Sequence, residues 1–255
     1  MNFIDTHCHL YTEEFDEDIN DVLERAGNFG VTKFYLPAID QSSTERMLNL
    51  EARFPDQCIA MMGLHPGSVK QDYKKELDHV EAWLKKRRFV AIGEIGLDYY
   101  WDRTYMAEQQ DAFSVQMEWA MQHDIPIVIH TRNAMQETIE MVKKFTPKGI
   151  RGIFHCFSGS VESAREIIRL GFYLGIGGVI TYKNAGVAEV LEEIDLKHIV
   201  LETDAPYLTP APFRGKRNES AYLEHIVNKL ALIKNSSPQE IAEITTSNAQ
   251  NIFGT

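Results

Sequence analysis

The sequence predicts a single-domain α/β protein, residues 1–255, of the (β/α)8 TIM-barrel type. Three observations carry that expectation. Short apolar runs recur along the chain, eight in all. Between them lie longer stretches whose apolar residues fall at helical spacing, as parallel strands joined by helices require. The length of 255 residues, with 44% hydrophobic and 25% charged residues, suits the one large core that such barrels build from about 250 residues. A doubly wound open sheet is the alternative, and the count of eight units favours the barrel.

The runs follow one another in order. "NFID" opens the chain, followed by "TKFYLPAI" from Thr32, "CIAMMGLHP" from Cys58 and "FVAIGEIG" from Phe89. "IPIVIHTR" from Ile125, "GIFHCF" from Gly152, "FYLGIGG" from Phe172 and "HIVLETD" from His198 complete the set. The seventh is the weakest strand because it holds three glycines, which have little β preference. Amphipathic segments intervene, among them "DEDINDVLERAGNFG", "YKKELDHVEAWLKKR", "MAEQQDAFSVQMEWAMQHD" and "VESAREIIRLG", the last closed by Gly171 as a helix-ending glycine. "ESAYLEHIVNKLALI" and "SPQEIAEITTSNAQNIF" read as two closing helices, the second begun by Ser236 or Ser237 with Pro238 in its first turn. No low-complexity linker or short repeat interrupts the series.

A formal net charge of -11 argues against general adhesion to nucleic acid or to an anionic membrane. It leaves room for one local cationic or metal-filled cleft that holds phosphate. Cys8, Cys58 and Cys156 lie far apart with no C-x-x-C pair, so neither a disulfide framework nor a cysteine zinc knot is suggested. No basic leader with a long apolar run opens the sequence, and no apolar stretch approaches the roughly 20 residues of a membrane span. The expectation is a soluble cytoplasmic protein with no membrane association and no obligate protein partner.

The chemistry gathers at strand ends. His7 and His9 are two apart, so an extended "FIDTHCH" turns both to one face and Cys8 to the other. H-x-H alone is equally a pair of surface histidines. Glu94 ends "FVAIGE", His130 ends "IPIVIH", His155 follows "GIF" and Asp204 ends "HIVLETD". In a parallel barrel these ends share one rim, the rim that carries active sites. Taken singly, each carboxylate fits a helix cap and each histidine a carbonyl-bonded ring. Taken together, four histidines and two carboxylates without thiolate suit zinc, manganese, cobalt or nickel, with magnesium at a more oxygen-rich position. Six ligands exceed what one catalytic ion takes, which points to two divalent ions sharing a carboxylate. His65, in "GLHPG" after the third strand, is expected on the same rim as a substrate contact or a turn-stabilising residue. Barrel closure puts the first strand beside the eighth, so His7 and His9 should neighbour Asp204.

At these residues the sequence resembles the TatD-type metal-dependent deoxyribonucleases, within the amidohydrolase-like barrels. The matching stretches are "DTHCHL", "GLHP", "GEIGLDYY", "PIVIHTR", "HCFSGS", "LETDAPYL" and "RGKRN", which span nearly the whole chain. The resemblance implies that His7, His9 and Asp204 serve one metal, His130 and His155 the other, and that Glu94 is shared. A bridging glutamate rather than a lysine favours the nuclease branch. Ala205 stands where the family commonly has serine, and Ser220 where it has proline.

The expected activity is metal-dependent hydrolysis of phosphodiester bonds in DNA, single-stranded or from an end. Asp204 would act as proton acceptor or water orienter and Glu94 as the bridge. His65, Arg132 beside His130, and Arg214, Lys216 and Arg217 of "FRGKR" are the candidate phosphate contacts, and Tyr99, Tyr100 and Trp101 could stack an unpaired base. The "FRGKR" cations also fit a solvated loop. Hydrolysis of a small ester, amide, phosphate or aminoacyl-tRNA ester is the rival reading, since fold and metal fix the water activation and not the substrate. A non-catalytic scaffold stabilised by metal is the third.

Overall fold

The computed structural model describes residues 1–254. Eight parallel strands alternate with helices: β1 (Phe3–Asp5), α1 (Ile19–Phe29), β2 (Val31–Pro37), α2 (Gln41–Arg53), β3 (Cys58–Met61), α3 (Tyr73–Lys86), β4 (Ile92–Asp98), α4 (Met106–His123) and β5 (Ile127–Arg132). They continue with α5 (Met135–Phe145), β6 (Gly152–Phe154), α6 (Val161–Arg169), β7 (Tyr173–Ile176), α7 (Val187–Glu192), β8 (Ile199–Leu201), α8 (Leu223–Lys234) and α9 (Pro238–Phe253). All eight apolar runs are therefore strands, including the glycine-containing seventh, and the chain has the (β/α)8 barrel fold.

Regular pairing forms two sheets, β1-β2-β3 and β4 through β8. Backbone hydrogen bonds join them at both seams. Met62 bridges to Ile92, with Gly93 N–H donating to Met62 O at 3.1 Å. At the other seam Thr6 N–H donates to Leu201 O at 3.0 Å and Asp204 N–H to His7 O at 2.9 Å.

Strand alternation sorts the side chains into two cores. Ile4, Tyr35, Met61, Ala91, Val128, Ile153 and Val200, contributed by β1 to β6 and β8 or the residue just before β4, form one inner cluster with Tyr173 of β7 packed against it. Ala249, Ile252 and Phe253 at the end of α9 close that cluster, the Phe253 ring stacking on Tyr35 at 3.9 Å. The larger cluster lies between strands and helices and takes the alternate residues, such as Phe34 and Leu36 of β2 and Ile127 and Ile129 of β5. Each such buried side chain contributes about 1.5–3 kcal/mol. Helix ends follow local chemistry. Ser237 caps α9 through a 3.1 Å bond from Glu240 N–H, with Pro238 as first helical residue, and Gly171 after α6 takes a left-handed φ of 85°.

Gly175 explains the glycine content of β7. A β-carbon there would lie 2.3 Å from Glu202 Oε2, so the strand admits only glycine if that buried carboxylate is to fit.

Candidate metal centre

The site stands on the inner cluster. His130, His155 and Glu202 each lie two residues beyond an inner-cluster residue, Val128, Ile153 and Val200, so alternation turns all three into the barrel above the apolar layer. Three elements depart from the expected boundaries: β8 ends at Leu201, short of Asp204, and β1 and β4 differ as well. β1 ends at Asp5, so His7 and His9 lie beyond the regular strand; the chain there bonds both neighbours in turn, Cys8 N–H to Tyr35 O at 3.0 Å and His9 N–H to Ala205 O at 2.7 Å. β4 does not end at Glu94 but runs to Asp98, and a register irregularity between Ile92 and Ile95 frees Glu94 from the ladder. In both places hydrogen bonds to neighbouring strands set the boundary, which a single apolar run does not encode.

Glu94 sits at the centre. Its Oε2 is 3.2 Å from His7 Nε2 and 3.6 Å from His9 Nε2; its Oε1 is 2.8 Å from His130 Nδ1, 3.0 Å from His155 Nε2 and 3.5 Å from His65 Nε2. Asp204, in a left-handed conformation at φ 56°, places Oδ1 3.6 Å from both His7 Nε2 and His9 Nε2. Three subsets have donor atoms close enough to hold a metal ion: His7 with His155 and Asp204, His7 with His9 and Glu94, and His65 with Glu94 and His130.

The second nitrogen of each ring fixes what the first can do. Tyr11 donates its hydroxyl proton to Pro37 O at 2.6 Å, so its oxygen accepts from His9 Nδ1–H at 2.9 Å and His9 Nε2 turns a lone pair inward. Glu202 Oε1 accepts from His155 Nδ1–H at 3.2 Å, and Asp98 Oδ2 from His130 Nε2–H at 2.9 Å, leaving the same inward lone pairs. His65 is the opposite case. Its Nδ1 accepts from Gly67 N–H at 2.9 Å, so the neutral ring carries its proton on Nε2, facing Glu94, as a donor and not as a ligand. It both stabilises its turn and reaches the site.

Lone pairs aimed at a carboxylate repel unless a cation lies between. Protons serve in the protein alone. Burial pushes His9 down, yet hydrogen bonds with Asp204 and Glu94 outweigh it and hold the ring at about 9. Burial likewise opposes charge on His130 and His155, and the carboxylates Asp98 and Glu94, and Glu94 and Glu202, raise them above the ordinary range. Burial works against the charge of Glu94, which the surrounding imidazoles nevertheless hold well below the usual carboxylate range. Buried His7 is kept down by desolvation and by charge on His155; its Nε2, 3.2 Å from Glu94 Oε2, lacks hydrogen-bond geometry, and its Nδ1 has no partner. An orphaned, fully buried imidazole among proton-bearing neighbours is what a metal ion would satisfy, so the donor set fits divalent cations.

A cavity of about 580 Å³ opens over these groups and is also lined by Arg132, Trp101 and Tyr207. Arg132 lays its guanidinium 3.8 Å from the Tyr100 ring centroid. The "FRGKR" cations lie elsewhere. Arg214 stacks on Tyr182 at 3.8 Å and Lys216 Nζ lies 5.7 Å from the Phe213 ring, and neither lines the cavity. Arg217 is bound by Asp18 through two bonds of 2.7 Å, so its charge is used within the fold. Asn218 anchors the loop after β8 by donating to Thr203 O and Tyr207 O at 2.7 and 2.6 Å. Cys8 is buried with Sγ 3.8 Å from Tyr35 O, turned away from the metal candidates.

Several supporting residues lie outside the sequence candidates. Glu202, Asp98 and Tyr11 orient three histidines, and a signal existed: Glu202 is two residues past Val200 and Tyr11 two past His9. On α4, Gln109 and Gln116 are buried seven residues apart. Gln116 brackets the backbone of Leu64, beside His65, at 2.7 and 3.2 Å, and Gln109 brackets that of Asp98 at 2.8 and 3.0 Å. At the β1–β8 seam, Asp5 accepts from Thr203 Oγ1 and Ser220 Oγ, each at 2.6 Å. Ser220 thus has a buried partner.

A family model described as TatD related DNase matches residues 4–254. The chain belongs to that family. Among its relatives, an uncharacterized metal-dependent hydrolase, YabD, of Bacillus subtilis is 38% identical over 98% of both chains. The 3'-5' ssDNA/RNA exonuclease TatD of Salmonella typhimurium is 32% identical over 98% of both. Among solved structures, the TatD homolog YjjV of Escherichia coli superposes with a TM-score of 0.93 at 30% identity, covering 99% of this chain and 98% of that one. At the level these TatD relatives share, the protein is a metal-dependent hydrolase. Among the described residues no helix is long and apolar enough to cross a membrane.

Proposed function

We propose that the protein is a phosphodiesterase that removes nucleotides from an end of single-stranded DNA, using two divalent ions. The observation that carries this reading is the convergence of imidazoles on Glu94, with Arg132, Trp101 and Tyr207 around the opening. The name of the Salmonella relative supports a nucleic-acid substrate.

His7, His9 and Asp204 would hold one ion, His130 and His155 the other, and Glu94 would be shared. The chemistry such ions supply is a water-derived nucleophile at neutral pH and polarisation of the phosphoryl oxygen. The chain's own groups do the rest. Asp204 remains ionised although burial opposes it, because His9, His155 and His7 surround it, so its carboxylate can accept the nucleophile's proton. His65 Nε2–H offers a hydrogen bond to a phosphoryl oxygen, and Arg132 offers a charge to an adjacent phosphate. Asp98, Glu202 and Tyr11 keep the rings from turning as charge shifts.

End-labelled single-stranded DNA incubated with Mg²⁺ or Mn²⁺, with and without chelator, tests the proposal. Progressive shortening that chelator abolishes is the expected result. No metal-dependent loss of nucleotides, alongside turnover of small esters, would overturn it.

A further inference from the structure

Six large hydrophobic side chains are exposed among the described residues, and four of them, Tyr100, Trp101, Tyr207 and Leu208, follow β4 or β8 toward the active rim. Scattered singly they would need no explanation; gathered around a polar site they mark a binding surface. Trp101 is 75% exposed and meets Tyr100 edge to face, with centroids 4.8 Å apart and planes at 87°. Arg132 lies over both rings, 3.8 Å from the Tyr100 centroid and 5.2 Å from that of Trp101. The stack on Tyr100 orients the guanidinium, and among the described residues no carboxylate pairs with it, unlike Arg25, Arg46, Arg87 and Arg217. Trp101 and Arg132 line the same cavity as Glu94 and His130, while Tyr207 and Leu208 line it from the loop after β8.

A flat, wet indole beside an unpaired guanidinium, next to a centre suited to phosphate chemistry, matches one kind of molecule: a nucleotide with its base free to stack. Bases inside a duplex have both faces covered by their neighbours, whereas an unpaired end offers a face to an aromatic ring. We propose that Trp101, held by Tyr100 and Arg132, is the stacking surface for an unpaired base beside the phosphate being cleaved, and so selects single strands over blunt duplex. This rests on the nuclease reading above.

Fluorescence anisotropy on the metal-loaded protein tests it with labelled, cleavage-resistant phosphorothioate octathymidylate, the same backbone with abasic residues throughout, and a blunt phosphorothioate duplex. Trp101 is mostly in water, so Trp101→Ala and Trp101→Phe should leave the fold intact. The wild type should bind the base-bearing strand more tightly than the abasic strand or the duplex, by on the order of ten-fold, the worth of one base–aromatic stack. Trp101→Ala should bind base-bearing and abasic strands alike, and Trp101→Phe should recover most of the preference. A preference that survives Trp101→Ala, or an equal weakening of both strands, overturns the proposal. Wild-type protein that shortens DNA in the metal assay but shows no base preference removes the stacking surface and leaves the nuclease reading standing. Neither binding nor cleavage of any strand overturns both.

Discussion

The tautomer of each histidine is set by the partner on its far side, and that is where single substitutions should be most informative. Tyr11→Phe removes the acceptor of His9 Nδ1–H while keeping the buried ring. Metal affinity is expected to fall by about 10–100-fold with the fold retained, measured by competition against a chromophoric chelator. Glu202→Gln keeps the shape around His155 but loses the charge that holds its Nδ1–H. A loss of affinity in the same range is expected, and an unchanged affinity would mean that His155 needs no orienting carboxylate. Protons and metal compete for the inward nitrogens. Because His9 is held at about 9 in the protein alone, loading metal at pH 7 should release protons, and affinity should rise with pH up to about 9. Calorimetry in two buffers of different ionisation enthalpy reads the number released.

Elements place these residues through alternation and its interruptions. Gly175→Ala drives a methyl group against Glu202, and the cost is expected at about 1–3 kcal/mol, read from the urea midpoint, with loss of metal affinity in the folded fraction. Gln116→Leu strands the buried N–H and C=O of Leu64 and should cost a similar amount while lowering activity through His65. The strands were legible from sequence because apolar runs and turn residues are local properties, and the six ligand candidates because charge at the end of such a run is conspicuous. The interruptions were not. Nothing within "FVAIGEIGLD" carries β4 beyond Gly96 to Asp98 or marks the irregularity around Glu94, because its pairing depends on β3 and β5. Glu202 is hidden in sequence beside the more prominent Asp204, although its even spacing from Val200 places it inside. Charge composition cannot show which loop cations are already paired: Arg217 is matched to Asp18 across the fold, whereas Arg214 and Lys216 lie over aromatic rings.

On the scale of the whole molecule, the apolar layer closed by α9 forms the base on which the polar constellation rests, and the β1–β8 seam brings residues about 200 positions apart into one site. Metal binding across that seam should stabilise the folded chain, because the candidate ligands, on β4 and β5 and just after β1, β6 and β8, assemble only when the barrel is closed. The most direct test is the number of divalent ions retained per chain, by elemental analysis after loading and dialysis, in the wild type and in Glu94→Gln. Two ions in the wild type and fewer than one in the variant is the predicted result. A wild type that retains none, or a variant that retains as many as the wild type, would contradict a shared centre built on Glu94.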